Sequence, residues 1–225
     1  MKKKILIIAI SIIILAMTIA SATTAYFTDY DSAENVFTVG KVDISLSEVN
    51  EDYLGNEIQA DQSGKYNFGS LYPGQTYTKI ATIKNEGPEN AYLAARITLT
   101  STGLDNLFVV GAGTASEAVN VGVLDDFLGG LVVDGADYIV TFDPVADEAN
   151  TIIVRVIKTQ ATTAGNSFDL MESVYVDPVW NNDSMAYLSG LSILIEAYGV
   201  QTVGFEQGGA VAAFKAAFPD EFPQA

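Results

Sequence analysis

Apolar and polar positions divide the chain into one unbroken apolar run and a long series of short alternating segments. The run extends from Ile5 to about Ala20, after the basic Lys2–Lys4 and before the small residues Ser21, Ala22, Thr23, Thr24 and Ala25. That order of basic, apolar and small-residue stretches reads as a cleaved secretory signal peptide over 1–25. A retained membrane anchor is the rival reading, but about 16 apolar residues fall short of the ~20 that a helical span needs. Two small-x-small cleavage registers are open, Ala20-x-Ala22 and Thr23-x-Ala25.

Tyr26–Asn35 is rich in aromatics, Thr and Asp and has no helical period. From Val36 to Leu46 the residues Val36, Gly40, Val42, Ile44 and Leu46 share one parity, opposite Asn35, Lys41, Asp43 and Ser45. Period two with one apolar face predicts a half-buried strand. Residues 48–64 are polar and punctuated by Gly55 and Gly64, which predicts a loop or a weak hairpin. Tyr77–Lys84 predicts a strand, entered through a Pro73-Gly74 turn and left through the turn Asn85–Pro88. Tyr92–Thr100 predicts another, with Leu93, Ala95, Ile97 and Leu99 inward and Arg96, Thr98 and Thr100 outward.

The glycine-broken middle, residues 101–136, predicts a short strand at Leu107–Val110 and a short helix or strand at Val121–Leu128. Tyr138–Phe142 and Thr151–Lys158 predict a hairpin, and Ser167–Val176 a further strand. Met185–Phe205 is a long β-rich segment in which Leu191, Ile193, Ile195 and Ala197 alternate with Ser192, Glu196 and Tyr198. Val211, Phe214 and Phe218 at helical spacing predict a C-terminal helix over Gly208–Phe218, stopped by Pro219 and Pro223. Many short strands between Gly and Pro turns, with no linker, predict one all-β domain over 36–225. The expected architecture is a jelly-roll-like antiparallel β-sandwich with short helical insertions.

Composition narrows the chemistry. Apolar residues are 49% of the 225, enough for a core. The net charge is −17, and falls to −20 without the three leader lysines. A polyanion repels nucleic acid and anionic lipid, so neither is an expected partner, and the membrane is met only through an uncleaved leader. Self-repulsion weakens as carboxylates protonate near pH 4. The absence of Cys excludes disulfides and thiolate chemistry. The absence of His removes the commonest general base and zinc ligand. A serine nucleophile would need a lysine, and none of Lys41, Lys65, Lys79, Lys84, Lys158 and Lys215 stands in a Ser-x-x-Lys context. The acid clusters Asp29/Asp31, Asp125/Asp126 and Asn181-Asn182-Asp183 have no ordered calcium-loop spacing and read as solvated turns. Trp180 reads as core packing before it reads as a sugar platform. No catalytic residue, cofactor or metal ligand is therefore expected.

Several landmarks then fall in a fixed order: Thr24-Ala25-Tyr26-Phe27-Thr28-Asp29, Phe37-Thr38-x-Gly40-x-Val42-Asp43-Ile44-Ser45-Leu46 and Leu71-x-Pro73-Gly74. Lys84-Asn85-x-Gly87 and Ala197-x-Gly199-Val200-Gln201-x-x-Gly204-Phe205 complete the series. In this order the chain resembles the TasA/camelysin family, exported proteins of Gram-positive bacteria processed by a dedicated signal peptidase. The resemblance implies a secreted jelly-roll subunit that polymerises head to tail into extracellular matrix or surface fibres. It implies cleavage between Ala25 and Tyr26, and an N-terminal donor strand inserted into the next subunit. By position the donor segment is 26–35, begun by Tyr26, Phe27, Thr28, Asp29 and Tyr30. Read from its residues alone, the same segment is a frayed terminus or an intramolecular edge strand. The implied partners are further copies of the chain, the signal peptidase and an accessory or anchoring protein. A monomeric cell-surface binding module for polysaccharide or protein is the alternative. A camelysin-like protease ranks last, because no imidazole is available for zinc.

Overall fold

The computed structural model of the chain describes residues 28–32, 35–38, 42–60, 66, 68, 70–110, 118–144 and 149–223. The leader, the Ala25–Tyr26 junction and Phe27 lie outside these residues.

The described strands are all antiparallel and form a sandwich of two unequal sheets, as the all-β expectation requires. The larger sheet has six strands: β1 (Thr28–Ser32), β2 (Asn35–Thr38), β5 (Ala91–Thr100), β8 (Tyr138–Pro144), β9 (Thr151–Lys158) and β11 (Ser192–Gln201). Their order is β2-β1-β11-β5-β9-β8. The smaller sheet, in the order β10-β4-β3, joins Ser167–Tyr175 (β10), Thr76–Asn85 (β4) and Ile44–Glu51 (β3). A two-stranded ribbon of β6 (Val109–Val110) and β7 (Ala118–Val119) sits among the short helices α1 (Leu104–Phe108) and α2 (Val121–Phe127).

Alternation decides which side chains enter the core. On β5, Leu93, Ala95, Ile97 and Leu99 are fully buried, whereas Arg96 and Thr98 are only partly covered. Across the gap they meet Ile83 and Ala81 of β4 and Leu170 of β10 in one continuous cluster. A second cluster lies on the outer face of the six-stranded sheet. There α4 (Gly209–Ala217) and the tail press Ala210, Ala213, Phe214 and Phe222 onto Ala94, Ile157, Tyr198 and Val200. The ring of Tyr198 is 5.0 Å from that of Phe218 and 5.2 Å from that of Phe222. The predicted C-terminal helix thus covers one end of a sheet face that would otherwise be wet.

Two of the sheet edges are blunted. On β8 the Val140 N–H donates to the Asp134 carboxylate (2.9 Å), the Tyr138 carbonyl accepts from Gly135 N–H (2.8 Å), and Pro144 has no N–H. On β10 the Leu170 carbonyl accepts from Val132 N–H, and the Glu172 and Ser173 N–H groups both donate to the Gly129 carbonyl. Such devices deny a free ladder to a second chain.

Three predicted boundaries move. The strand expected over Val36–Leu46 is two strands, β2 and β3, in different sheets. The period-two alternation runs through both, while the hydrogen-bonding partner changes. Near that crossing the Asp43 carbonyl accepts from Glu86 and Gly87 N–H (2.8 and 3.0 Å). Of the strand expected over Leu107–Val110 only Val109–Val110 is strand (β6); Leu107 and Phe108 end helix α1, in which Leu104 and Phe108, one turn apart, both bury completely. The β-rich segment expected from Met185 begins as helix α3 (Asn182–Tyr187) and becomes β11 only at Ser192.

Candidate functional site

The N-terminal hairpin of β1 and β2 meets the rest of the sandwich along β11. Five residue pairs form the ladder, from Thr28↔Val200 to Ser32↔Glu196, with Asp29 opposite Gly199 and Tyr30 opposite Tyr198. Thr28, Asp29 and Tyr30 of the proposed donor segment are thus strand residues of their own chain's sheet, between β2 and β11. Tyr26 and Phe27 are outside the described residues. Backbone parity places Asp29 and Asp31 on one face of β1, opposite to Tyr30.

β11 is covered unequally. On one side β5 pairs with it from Ser192 to Gln201; on the other, β1 covers only Glu196–Val200. Among the described residues no strand lies on that side of Ser192–Ile195, and Leu194 there is exposed. Beside this half-strand is a cavity of about 510 Å³. Phe68, Leu71, Met185, Leu188, Leu191 and Ile193 line it together with the polar Ser70 and Ser189. Helix α3, which forms one wall, is fixed by its cap: the Asn181 side chain accepts from Asp183 and Ser184 N–H (2.9 and 3.0 Å).

Gly199 sets the spacing between the sheets at the same strand. A Cβ there would stand 2.8 Å from Ile44 Cγ2 and 2.9 Å from Val42 Cγ1. Only a glycine lets the smaller sheet approach β11 this closely.

The other residues singled out in the sequence have structural employment. Asn181 caps a helix, Asp125 and Asp126 lie on α2, and Trp180 packs its ring against Phe108 and Phe127 (5.9 and 6.0 Å). Among the described residues no three Asp or Glu side chains gather as a metal site. Nor is any described helix long and apolar enough to cross a membrane.

One cluster went unnoticed in the sequence. Lys79 shares its face of β4 with Tyr77, Ala81 and Ile83 and is 1% exposed. Its ammonium donates to Glu48 Oε2 (2.9 Å) and to Asn50 Oδ1 (3.3 Å), both on β3. The rings of Tyr66 and Phe68 lie 5.5 and 5.9 Å from Nζ. Asn50 is itself buried, and its amide nitrogen donates to the same Glu48 Oε2 at 3.5 Å. Burial and the Glu48 charge push the Tyr66 phenol above its usual value. The available signal was a lysine at an inward position of the predicted strand Tyr77–Lys84.

No protein family, no curated protein and no solved structure matches the chain in the comparisons made.

Proposed function

We propose that this chain is a secreted structural subunit that polymerises into extracellular matrix or surface fibres by lending its N-terminal strand to a neighbour. The observation that carries the reading is the five-pair ladder of Thr28–Ser32 on β11. The segment is strand-forming, and an edge with a defined register receives it. In a lone chain that edge belongs to the same molecule; in a fibre it would belong to the next one. The hydrogen bonds are equivalent in both cases, so exchange needs little energy and is favoured by concentration, as in domain swapping. Because donor and acceptor are different surfaces, the contact does not close on itself and extends head to tail. A leader still attached before Tyr26 would tether the donor, making signal-peptidase cleavage the switch. The jelly-roll connectivity, an accessory or anchoring partner and the absence of catalysis belong to the same proposal.

Negative-stain electron microscopy of protein starting at Tyr26, beside protein starting at Val36, tests it. Fibres from the longer form alone are expected. Fibres from both would move the joint elsewhere in the molecule; none from either, including near pH 4, would overturn the fibre reading. The cavity beside Ser192–Ile195 favours a second reading, a monomeric binding module. Saturable binding on a glycan array or to a surface protein, without polymer, would select it.

A further inference from the structure

The geometry points to a covalent cross-link between Lys79 and Asn50, an isopeptide bond formed by the chain itself with Glu48 as the proton carrier. Three features of the cluster go beyond an ordinary buried ion pair. The prospective nucleophile and electrophile are directly opposite each other on neighbouring strands, Asn50↔Lys79, so the ladder fixes their approach. Nζ donates to the amide oxygen at 3.3 Å, so the amine is already in contact with the carboxamide whose carbon it would attack. One carboxylate oxygen, Glu48 Oε2, lies within reach of both nitrogens that exchange protons, 2.9 Å from Nζ and 3.5 Å from Nδ2.

The surroundings keep water away from the reacting pair. Lys79 and Asn50 are 1% and 2% exposed, and the Tyr66 and Phe68 rings cover the amine. Desolvated lysine amines are competent nucleophiles.

The step balances without a cofactor or oxidant. The Lys79 ammonium gives a proton to Glu48 Oε2, and the freed lone pair attacks Asn50 Cγ while the carbonyl electrons move to Oδ1. Glu48 then passes a proton to Nδ2 and takes one from Nζ. The carbonyl re-forms, the Cγ–Nδ2 bond breaks, and ammonia leaves, taking the proton from Glu48 to become ammonium. A lysine ammonium and a carboxamide become a secondary amide and an ammonium ion, and Glu48 is again a carboxylate. The product ties β3 to β4 in a chain that has no cysteine to do so.

Mass spectrometry of the full chain tests the link, with the N-terminus read in the same experiment. The intact mass should be about 17 Da below that of the sequence, the mass of one ammonia. Trypsin should fail to cut after Lys79, leaving Val42–Lys65 joined to Tyr66–Lys84. Glu48→Gln keeps the size and polarity of the side chain but cannot carry the proton, so it should show full mass and separate peptides. Lys79→Arg should do the same. Full mass for the wild type, or a 17 Da deficit without the joined peptides, would overturn the proposal.

Discussion

Replacing Gly199 by alanine tests the packing of β11 against β3. The new Cβ would lie 2.8 Å from Ile44 Cγ2 and 2.9 Å from Val42 Cγ1, where carbon contacts are comfortable at about 3.5–4.0 Å. Both neighbours are 2% exposed and have no solvent to move into. Overpacking of this kind costs about 1–3 kcal/mol. The stiffer unfolded chain returns about 0.4–1 kcal/mol, because Gly199 does not require a positive φ. A net loss of about 0.5–2 kcal/mol remains, which at this chain length lowers Tm by roughly 1–8 °C. Gly135→Ala is the control, since no atom lies within 4 Å of a Cβ there and its φ is not positive. Urea unfolding followed by fluorescence should place Gly199→Ala below wild type and Gly135→Ala at or slightly above it. Val42→Ala should destabilise less in the Gly199→Ala background than alone, because it removes one of the two clashing methyls. An unchanged midpoint for Gly199→Ala would refute the close approach of the two sheets.

Four further outcomes can be checked. Asn181→Ala removes the cap of α3 and should cost about 0.5–2 kcal/mol in urea unfolding, with Asn181→Ser recovering most of it. Phe214→Ala empties a fully buried site under α4 and should cost about 3–5 kcal/mol by the same measurement. Burial pushes the phenols of Tyr66, Tyr77 and Tyr138 above their usual value of 10, so the unfolded chain loses these protons first. Stability is then complete below pH 10 and falls as pH rises past it, and tyrosinate absorbance should climb together with the loss of β-sheet circular dichroism. Finally, light scattering should report faster association near pH 4 than at pH 7 in low salt, since the −17 charge is then largely discharged. An absence of pH dependence would remove self-repulsion as the brake.

Most strands were legible because their two faces differ in solvent. β4 and β5 carry their pattern on Ala81, Ile83, Leu93 and Ile97, all buried, with Ile80, Thr82, Arg96 and Thr98 only partly covered between them. Partners were not legible, because alternation records which face is buried and not which strand is adjacent. For that reason Val36–Leu46 looked like one strand although β2 and β3 belong to different sheets. The same limit hid the destination of the N-terminal segment: nothing in Thr28–Ser32 names Glu196–Val200 as its neighbour. Helices α1 and α3, of five and six residues, are too short to establish a helical period. The Lys79–Glu48–Asn50 cluster needed the β3–β4 register, since Asn50 and Lys79 are far apart in sequence and opposite in space.

The guarded rim of β8 has a consequence for how copies of this molecule can accumulate. A ribbon that grows by laying sheet beside sheet needs two receptive rims on every unit, and the six-stranded sheet offers at most the one beyond β2. Growth through the six-stranded sheet alone ends at a pair. A long polymer of this fold would therefore be a string of intact sandwiches, each contributing its own short ladders. It would lack the uninterrupted ~4.8 Å repeat of cross-β fibrils and their resistance to dissolution.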